Sequence, residues 1–202
     1  MRAKLIASII VGVLIGGVAA VLVFPEARNA VFAPGAPTTA GKALIGGPFT
    51  LTDQHGKKVT DADFRGRHML VFFGFTNCPD ICPAGLQLIA AALDKLGSKA
   101  ANVTPIFISV DPERDTPEKL AAYVKNFDDR IVGLTGTQEE VTAVAKAYRV
   151  FYEKTPNESS SSDYGMNHTS IIYLMRPDGT YVAHFTPMTT VEQMVEKLSS
   201  VL

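Results

Sequence analysis

The hydrophobic positions of residues 46–202 follow two periods, one typical of strands and one typical of helices. Continuous apolar runs at residues 69–75 and 103–110 indicate strands that are covered on both faces of a sheet. Shorter apolar runs indicate three further strands, at residues 131–134, 170–175 and 181–185. Between the runs, apolar residues spaced three and four positions apart predict four amphipathic helices. Strands and helices therefore alternate along most of this region.

Short polar segments mark the turns between these elements. Asp53-Gln54-His55-Gly56 separates residues 49–52 from residues 58–60, which predicts an N-terminal β-hairpin. Arg176-Pro177-Asp178-Gly179 predicts the turn between the last two strands. Residues 153–167 are predicted to form a loop that includes the serine run at residues 159–162.

Local signals also mark the helix starts. Pro83 and Pro117 suit the first helical position, where a missing N–H removes no needed hydrogen bond. Two pairs fit the capping box, Thr137 with Glu140 and Thr189 with Glu192. Strands that alternate with one-sided helices and end in a hairpin and a last helix predict an α/β three-layer sandwich, here with the N-terminal hairpin as an extension.

The first 24 residues predict a membrane anchor. Residues 5–24 contain no ionisable side chain, and as a helix they would span about 30 Å, the thickness of the hydrocarbon core of a bilayer. Arg2 and Lys4 precede this run, whereas the charges that follow it nearly cancel, which predicts a cytoplasmic N-terminus. The alternative is a cleaved signal peptide with residues 31–33 as its cleavage site.

The anchor prediction sets the expected location of the remaining chain. Residues 25–45 are rich in Pro, Gly, Ala and Thr and are predicted to be a tether. Residues 46–202 would then form a domain on the far side of the membrane, in an oxidising compartment. Thiols in that oxidising compartment persist only if they are reduced or bound to metal.

Composition excludes several classes of function. The formal net charge is −1, and the chain has no basic cluster, which argues against nucleic acid as a partner. No Gly-rich phosphate loop follows a strand, so nucleotide binding has no support. A domain of this size buries roughly 70% of its unfolded surface and needs no disulfide to fold.

Cys78 and Cys82 are the only cysteines in the chain. They follow the first long strand and precede its helix, at the edge where open α/β sheets place their sites. Two thiols four residues apart can form one local disulfide or bind one soft metal ion; a purely structural disulfide is the weakest reading, because so short a loop adds little stability. Because Cys82 directly precedes Pro83, we expect the helix N-terminus to stabilise its thiolate more than that of Cys78.

A histidine is the candidate third member of the site. Thiol-disulfide oxidoreductases of this topology carry two cysteines separated by two residues, opposite a cis-proline. Here the cysteine loop is one residue longer, and His168 precedes the strand at residues 170–175 in place of that proline. Asp111 and Asp115 precede Thr116 and could simply cap the helix that begins there.

Three motifs in this order resemble those of the Sco/SenC family. They are Thr76-Asn77-Cys78-Pro79-Asp80-Ile81-Cys82-Pro83, Val110-Asp111-Pro112-Glu113-Arg114-Asp115-Thr116-Pro117, and His168-Thr169-Ser170 leading to Tyr173-Leu174-Met175. The resemblance covers about residues 46–202. It implies a membrane-anchored protein of thioredoxin-like fold that serves assembly of the dinuclear copper site of cytochrome c oxidase, as a metal-binding factor rather than an enzyme.

The resemblance also implies residue roles and partners. The family's copper ligands fall on Cys78, Cys82 and His168, and its acidic residue after the second strand falls on Asp111, with a supporting role. The implied partners are the copper-receiving oxidase subunit and a periplasmic copper donor or thiol reductant. An alternative function is a thiol-disulfide reductase for the cysteines of that subunit, with Cys78 and Cys82 forming a disulfide in the oxidised, copper-free protein.

The donor types agree with copper as cargo. Two thiolates and one imidazole suit Cu(I), whereas a structural zinc site requires four protein ligands. Cu(II) could also bind this set if Asp111 or water completed it. A peroxidase is disfavoured, because the peroxiredoxin pattern needs threonine and proline where the chain has Phe75 and Val71.

Overall fold

The two long apolar runs form adjacent central strands in the computed structural model, which describes residues 44–156 and 164–202. These strands, β3 (His68–Gly74) and β4 (Val103–Ser109), pair in parallel over seven residues. Every residue of both strands is buried, as expected for strands covered on both faces.

Nine strands form two separate sheets in the described residues. The other strands are β1 (Thr50–Asp53), β2 (Lys58–Thr60), β5 (Val132–Thr135), β6 (Tyr152–Pro156), β7 (Tyr164–His168), β8 (Ile172–Met175) and β9 (Tyr181–Phe185). Seven of the nine strands make the main sheet in the order β2-β1-β5-β4-β3-β8-β9, and β6 pairs only with β7. The predicted N-terminal hairpin, β1 with β2, extends one edge of the main sheet.

Helices cover both faces of the main sheet. They are α1 (Ile81–Leu96), α2 (Pro117–Lys125), α3 (Gln138–Ala147) and α4 (Val191–Ser199). On one face, the Phe107 ring contacts Phe72 of β3 and Tyr123 of α2, with ring centres 5.9 and 5.6 Å apart. On the other face, Phe73 contacts Tyr148 at the end of α3, with ring centres 5.4 Å apart. The predicted three-layer α/β sandwich is confirmed, and its fold is thioredoxin-like.

Two capping predictions have different outcomes. Thr137 and Glu140 exchange both capping-box bonds, at 3.2 and 2.9 Å, as predicted. The last helix is capped one residue later than predicted, by Thr190 rather than Thr189. Thr189 cannot serve, because it is engaged in the preceding turn with Thr186.

The region at residues 153–167 is not a simple loop, and that prediction is wrong in part. β6 and β7 form an antiparallel hairpin in which Tyr152 pairs with His168. Its strands are mostly exposed or half-buried, so they lack the apolar alternation by which a strand is found in sequence. His168 is thus the last residue of this hairpin, and β8 begins at Ile172 rather than at residue 170.

Some predictions concern residues that the structure does not describe. The anchor at residues 1–24, the tether up to residue 43 and the serine run at residues 159–162 lie outside the described ranges. Among residues 44–156 and 164–202, no helix combines the length and apolar character needed to cross a bilayer.

Candidate metal centre

The cysteine loop joins the end of β3 to the start of α1. Asp80 is the N-cap, and its carbonyl accepts the N–H of Ala84 at 3.1 Å, so the helix begins at Ile81 and not at Pro83. Pro83 is tolerated at the third helical position because the first N–H groups of a helix have no partner within it. Cys82 therefore lies inside the first turn of α1.

Cys82 packs against the backbone of β3. Its side chain is fully buried, and a Cβ built on Gly74 would lie 2.7 Å from the Cys82 Sγ. The same Cβ would lie 2.7 Å from the Phe107 ring. Glycine at residue 74 is what allows the thiol to approach the sheet this closely.

Cys78, rather than Cys82, has the lowered thiol pKa. The Cys78 Sγ accepts the backbone N–H of Cys82 at 3.4 Å. The Cys82 thiol, His168 and the backbone N–H groups of Asp80 and Cys82 lower the pKa of Cys78 to about 3. The adjacent Cys78 sulfur and burial raise the pKa of Cys82. The prediction that the Cys82 thiolate is the more stabilised of the two is wrong, because the Cys82 thiol donates to the Cys78 sulfur and the Cys82 N–H points at the same sulfur.

His168 reaches the cysteines from the end of β7. Its Nε2 lies 3.4 Å from the Cys82 Sγ, and its Nδ1 lies 3.1 Å from the Thr169 carbonyl oxygen. Because a carbonyl can only accept, Nδ1 donates to it, and Nε2 is the ring nitrogen that faces the Cys82 sulfur. The imidazole also packs perpendicular to the Phe75 ring, with ring centres 5.8 Å apart.

The three residues form a compact donor cluster. One ligand atom from each of Cys78, Cys82 and His168 lies within 4.8 Å of the others, so the group could hold a metal ion. Residues 44–156 and 164–202 contain no second group of three such donors. The cluster brings together all three side chains that sequence reasoning selected as candidate ligands.

Asp111 lies outside the donor cluster. It is buried after β4, where its carboxylate accepts the Tyr164 hydroxyl at 2.6 Å and pairs with Arg114. Arg114 in turn donates to the Tyr164 carbonyl at 2.9 Å, and its guanidinium lies 3.8 Å above the Tyr164 ring centre. Asp111 therefore contacts the start of the strand that ends in His168, which is consistent with an indirect role.

Asp115 bonds to the cysteine loop, whereas from sequence a helix-capping role was as plausible for it as a functional one. Thr116 caps α2 itself, whereas the buried Asp115 carboxylate accepts the N–H and hydroxyl of Thr76 at 2.9 and 2.5 Å. Thr76 lies two residues before Cys78. The sequence did offer a signal for this contact, because a polar run directly follows a buried strand. Such residues lie at the carboxyl edge of the sheet, where the cysteine loop also lies.

Comparisons with known proteins agree with this arrangement. The SCO1/SenC family model matches residues 37–202. The mitochondrial SCO1 homolog of Homo sapiens is 49% identical over 147 residues, which is 72% of this chain and 48% of the human protein. The chain thus spans about half the length of curated relatives such as the human and Arabidopsis thaliana proteins.

Solved structures of similar proteins share the fold. Copper-bound ScoI of Bradyrhizobium japonicum is 46% identical, with a TM-score of 0.73 over 78% of this chain and 99% of that chain. BsSco, a member of the Sco family of cytochrome c oxidase assembly proteins in which a disulfide switch was identified, is 27% identical, with a TM-score of 0.64 over 80% of this chain and 95% of that chain. With its family match, its relatives and its fold in agreement, the chain belongs to the SCO1/SenC family.

Proposed function

We propose that this chain binds one copper ion and delivers it during assembly of the dinuclear copper centre of cytochrome c oxidase. The observation that carries the proposal is the convergence of Cys78, Cys82 and His168 within 4.8 Å. The copper found in a 46% identical ScoI supports the identity of the cargo. In this proposal the chain is an assembly factor, and copper is its substrate.

The donor set favours Cu(I) as the form carried. Thiolates and imidazole are soft or intermediate ligands that suit Cu(I), which accepts three of them. The Thr169 carbonyl fixes the proton on Nδ1 and leaves Nε2 of His168 free to bind metal. Cu(II) would require a further ligand, and we assign that position to water because the Asp111 carboxylate is engaged by Tyr164 and Arg114.

Loss of the imidazole tests this proposal directly. Anaerobic competition titration of the full chain with Cu(I) would compare wild type with His168→Ala and with His184→Ala. His184 is a matched control, since it lies on β9 and its ring contacts Tyr181 rather than a cysteine. Removing even an outer partner of a metal ligand costs about 10–100-fold in affinity, so we expect His168→Ala to lose at least that. Unchanged affinity in His168→Ala would reject the proposed site.

A second function is favoured by the different pKa values of the two thiols. A Cys78 thiolate beside a protonated Cys82 is the arrangement of a dithiol reductant. The Cys78 thiolate would attack a client disulfide, and Cys82 would then displace the client from the mixed disulfide. The client gains two thiols while Cys78 and Cys82 become a disulfide. In His168→Ala, disulfide exchange should persist; if oxidase assembly also persists, reduction rather than copper delivery is the function.

The place of action follows from the predicted anchor. We infer a single-pass protein of the bacterial inner membrane, with residues 1–24 in the membrane and residues 46–202 in the periplasm. The recipient is the copper-receiving oxidase subunit, and a periplasmic copper donor or thiol reductant supplies the chain. Protease added to intact spheroplasts should cleave residues 46–202; protection from the protease would place the domain in the cytoplasm and contradict the inference.

A further inference from the structure

A five-residue turn after β4 contacts both segments that carry the donor cluster, the cysteine loop and the β6–β7 hairpin. The turn runs from Asp111 to Asp115 and is closed by the bond from the Asp115 N–H to the Asp111 carbonyl, 3.0 Å long. Both side chains are buried, with exposed fractions of 1% and 0%. Because a buried carboxylate is costly unless it is hydrogen-bonded, the partners of each carboxylate identify what the turn holds.

Asp115 holds the cysteine loop. Its carboxylate accepts three hydrogen bonds, from the Thr76 N–H at 2.9 Å, the Thr76 hydroxyl at 2.5 Å and the Ser109 hydroxyl at 2.7 Å. Ser109 is the last residue of β4, and Thr76 lies two residues before Cys78. The connection that carries the first sulfur is therefore tied to the end of β4.

Asp111 holds the hairpin that carries the imidazole. The Tyr164 hydroxyl donates to its carboxylate at 2.6 Å, and Arg114 bridges the same carboxylate to the Tyr164 carbonyl. Glu113 adds an exposed ion pair with Lys154 of β6, 2.6 Å long, which is worth little alone. The turn thus meets the hairpin at several points along its own length.

The hairpin depends on such side-chain contacts. In the described part of the chain, β6 and β7 pair with each other and not with the main sheet. Tyr164 and His168 are the first and last residues of β7, and their four-residue spacing puts both on one face of the strand. A displacement at Tyr164 is therefore carried along about 13 Å of paired strand to the imidazole.

We propose that the Asp111–Asp115 turn sets the distance between the sulfur pair and the imidazole. Tyr164 is the positioning residue for His168, and Thr76 is the positioning residue for Cys78. The cysteine loop and the hairpin are both hydrogen-bonded to one closed turn, so a shift of either would break a bond to a buried carboxylate. This inference rests on the proposed copper site.

Tyr164→Phe is the primary test. The substitution removes the hydroxyl that bonds Asp111 and keeps the ring beneath the Arg114 guanidinium. Tyr181→Phe is the matched control, because it also removes one hydroxyl bond, to His184 at 2.6 Å on β9. Hydrogen bonds to charged groups are among the stronger ones, so the Cu(I) affinity of the full chain should fall about tenfold in Tyr164→Phe and stay unchanged in Tyr181→Phe.

A double variant separates positioning from general destabilisation. In a His168→Ala background, Tyr164→Phe should cause no further loss of copper affinity, because Tyr164 acts through the imidazole. Thr76→Val should still lower the affinity in that background, because Thr76 acts through the sulfurs. An equal loss from Tyr164→Phe with and without His168 would overturn the inference.

Hydrogen exchange gives a readout that needs no copper. In the copper-free full chain, the amides of residues 164–168 should exchange faster in Tyr164→Phe than in wild type or Tyr181→Phe. If Tyr164→Phe keeps wild-type affinity and exchange while His168→Ala loses affinity, the inference fails and the proposed function stands. If His168→Ala keeps its affinity, the proposed function fails, and the exchange at residues 164–168 alone decides the positioning claim.

Discussion

The Nε2 atom of His168 lies 3.4 Å from the Sγ atom of Cys82, although 86 positions separate the two residues in sequence. The contact joins the end of β7 to the first turn of α1. Cys78 and Cys82 can approach each other through local geometry alone, whereas His168 requires the whole fold. The donor cluster consequently depends on the packing of both elements.

Gly74→Ala should damage both stability and the site. A Cβ at this position would lie 2.7 Å from the Cys82 Sγ and 2.7 Å from the Phe107 ring. Overpacking of this kind lowers the free energy of unfolding by about 1–3 kcal/mol, and the displaced thiol should weaken copper binding. Urea unfolding and Cu(I) titration measure the two effects. Gly133→Ala on β5, where the nearest atoms are 3.3 Å away, is the control, and equal losses in both variants would contradict the account.

The two thiols should differ in reactivity in the copper-free, reduced chain. The pKa of Cys78 is lowered to about 3, so its thiolate is present at all higher pH and is lost only as pH falls toward that value. Alkylation of Cys78 should therefore vary little between about pH 5 and about pH 8, whereas an ordinary thiol gains about tenfold per pH unit. Cys82, buried and with a raised pKa, should react later. Peptide mapping by mass spectrometry assigns the sites, and a tenfold rise per pH unit at Cys78 would refute the prediction.

Oxidation and copper binding should exclude each other. A disulfide between Cys78 and Cys82 removes two electrons from the sulfurs that the metal would occupy and releases the one proton that Cys82 carries. The chain treated with a thiol oxidant should bind no copper and should regain one copper per chain after reduction. Copper-loaded protein should resist alkylation at both cysteines. Uptake of a full equivalent by the oxidised chain would show that other residues bind the metal.

The central fold could be predicted from sequence because its elements are amphipathic or fully apolar. β3 and β4 are buried on both faces, and the helices carry apolar stripes, so the spacing of apolar residues in the sequence matches the burial in the structure. The β6–β7 hairpin could not be predicted in the same way, because its exposed residues carry no such period. Its position matters most, since it brings His168 to the cysteines.

The candidate ligands could be identified in the sequence, but the side chains that contact their segments could not. Cys78, Cys82 and His168 stand in recognisable motifs, whereas the roles of Asp115 and Tyr164 depend on contacts 39 and 53 positions away. The order of the two thiol pKa values was not readable either, because it depends first on the contact between the two sulfurs. The backbone N–H of Cys82, in the first turn of α1, adds to the difference by donating to the Cys78 sulfur.

X-ray absorption of the Cu(I)-loaded full chain tests the central claim most directly, because it counts the atoms bound to the metal. The account predicts one copper per chain with two sulfur neighbours and one nitrogen, and with the nitrogen lost in His168→Ala but kept in His184→Ala. A spectrum with sulfur neighbours alone in the wild-type chain would contradict it.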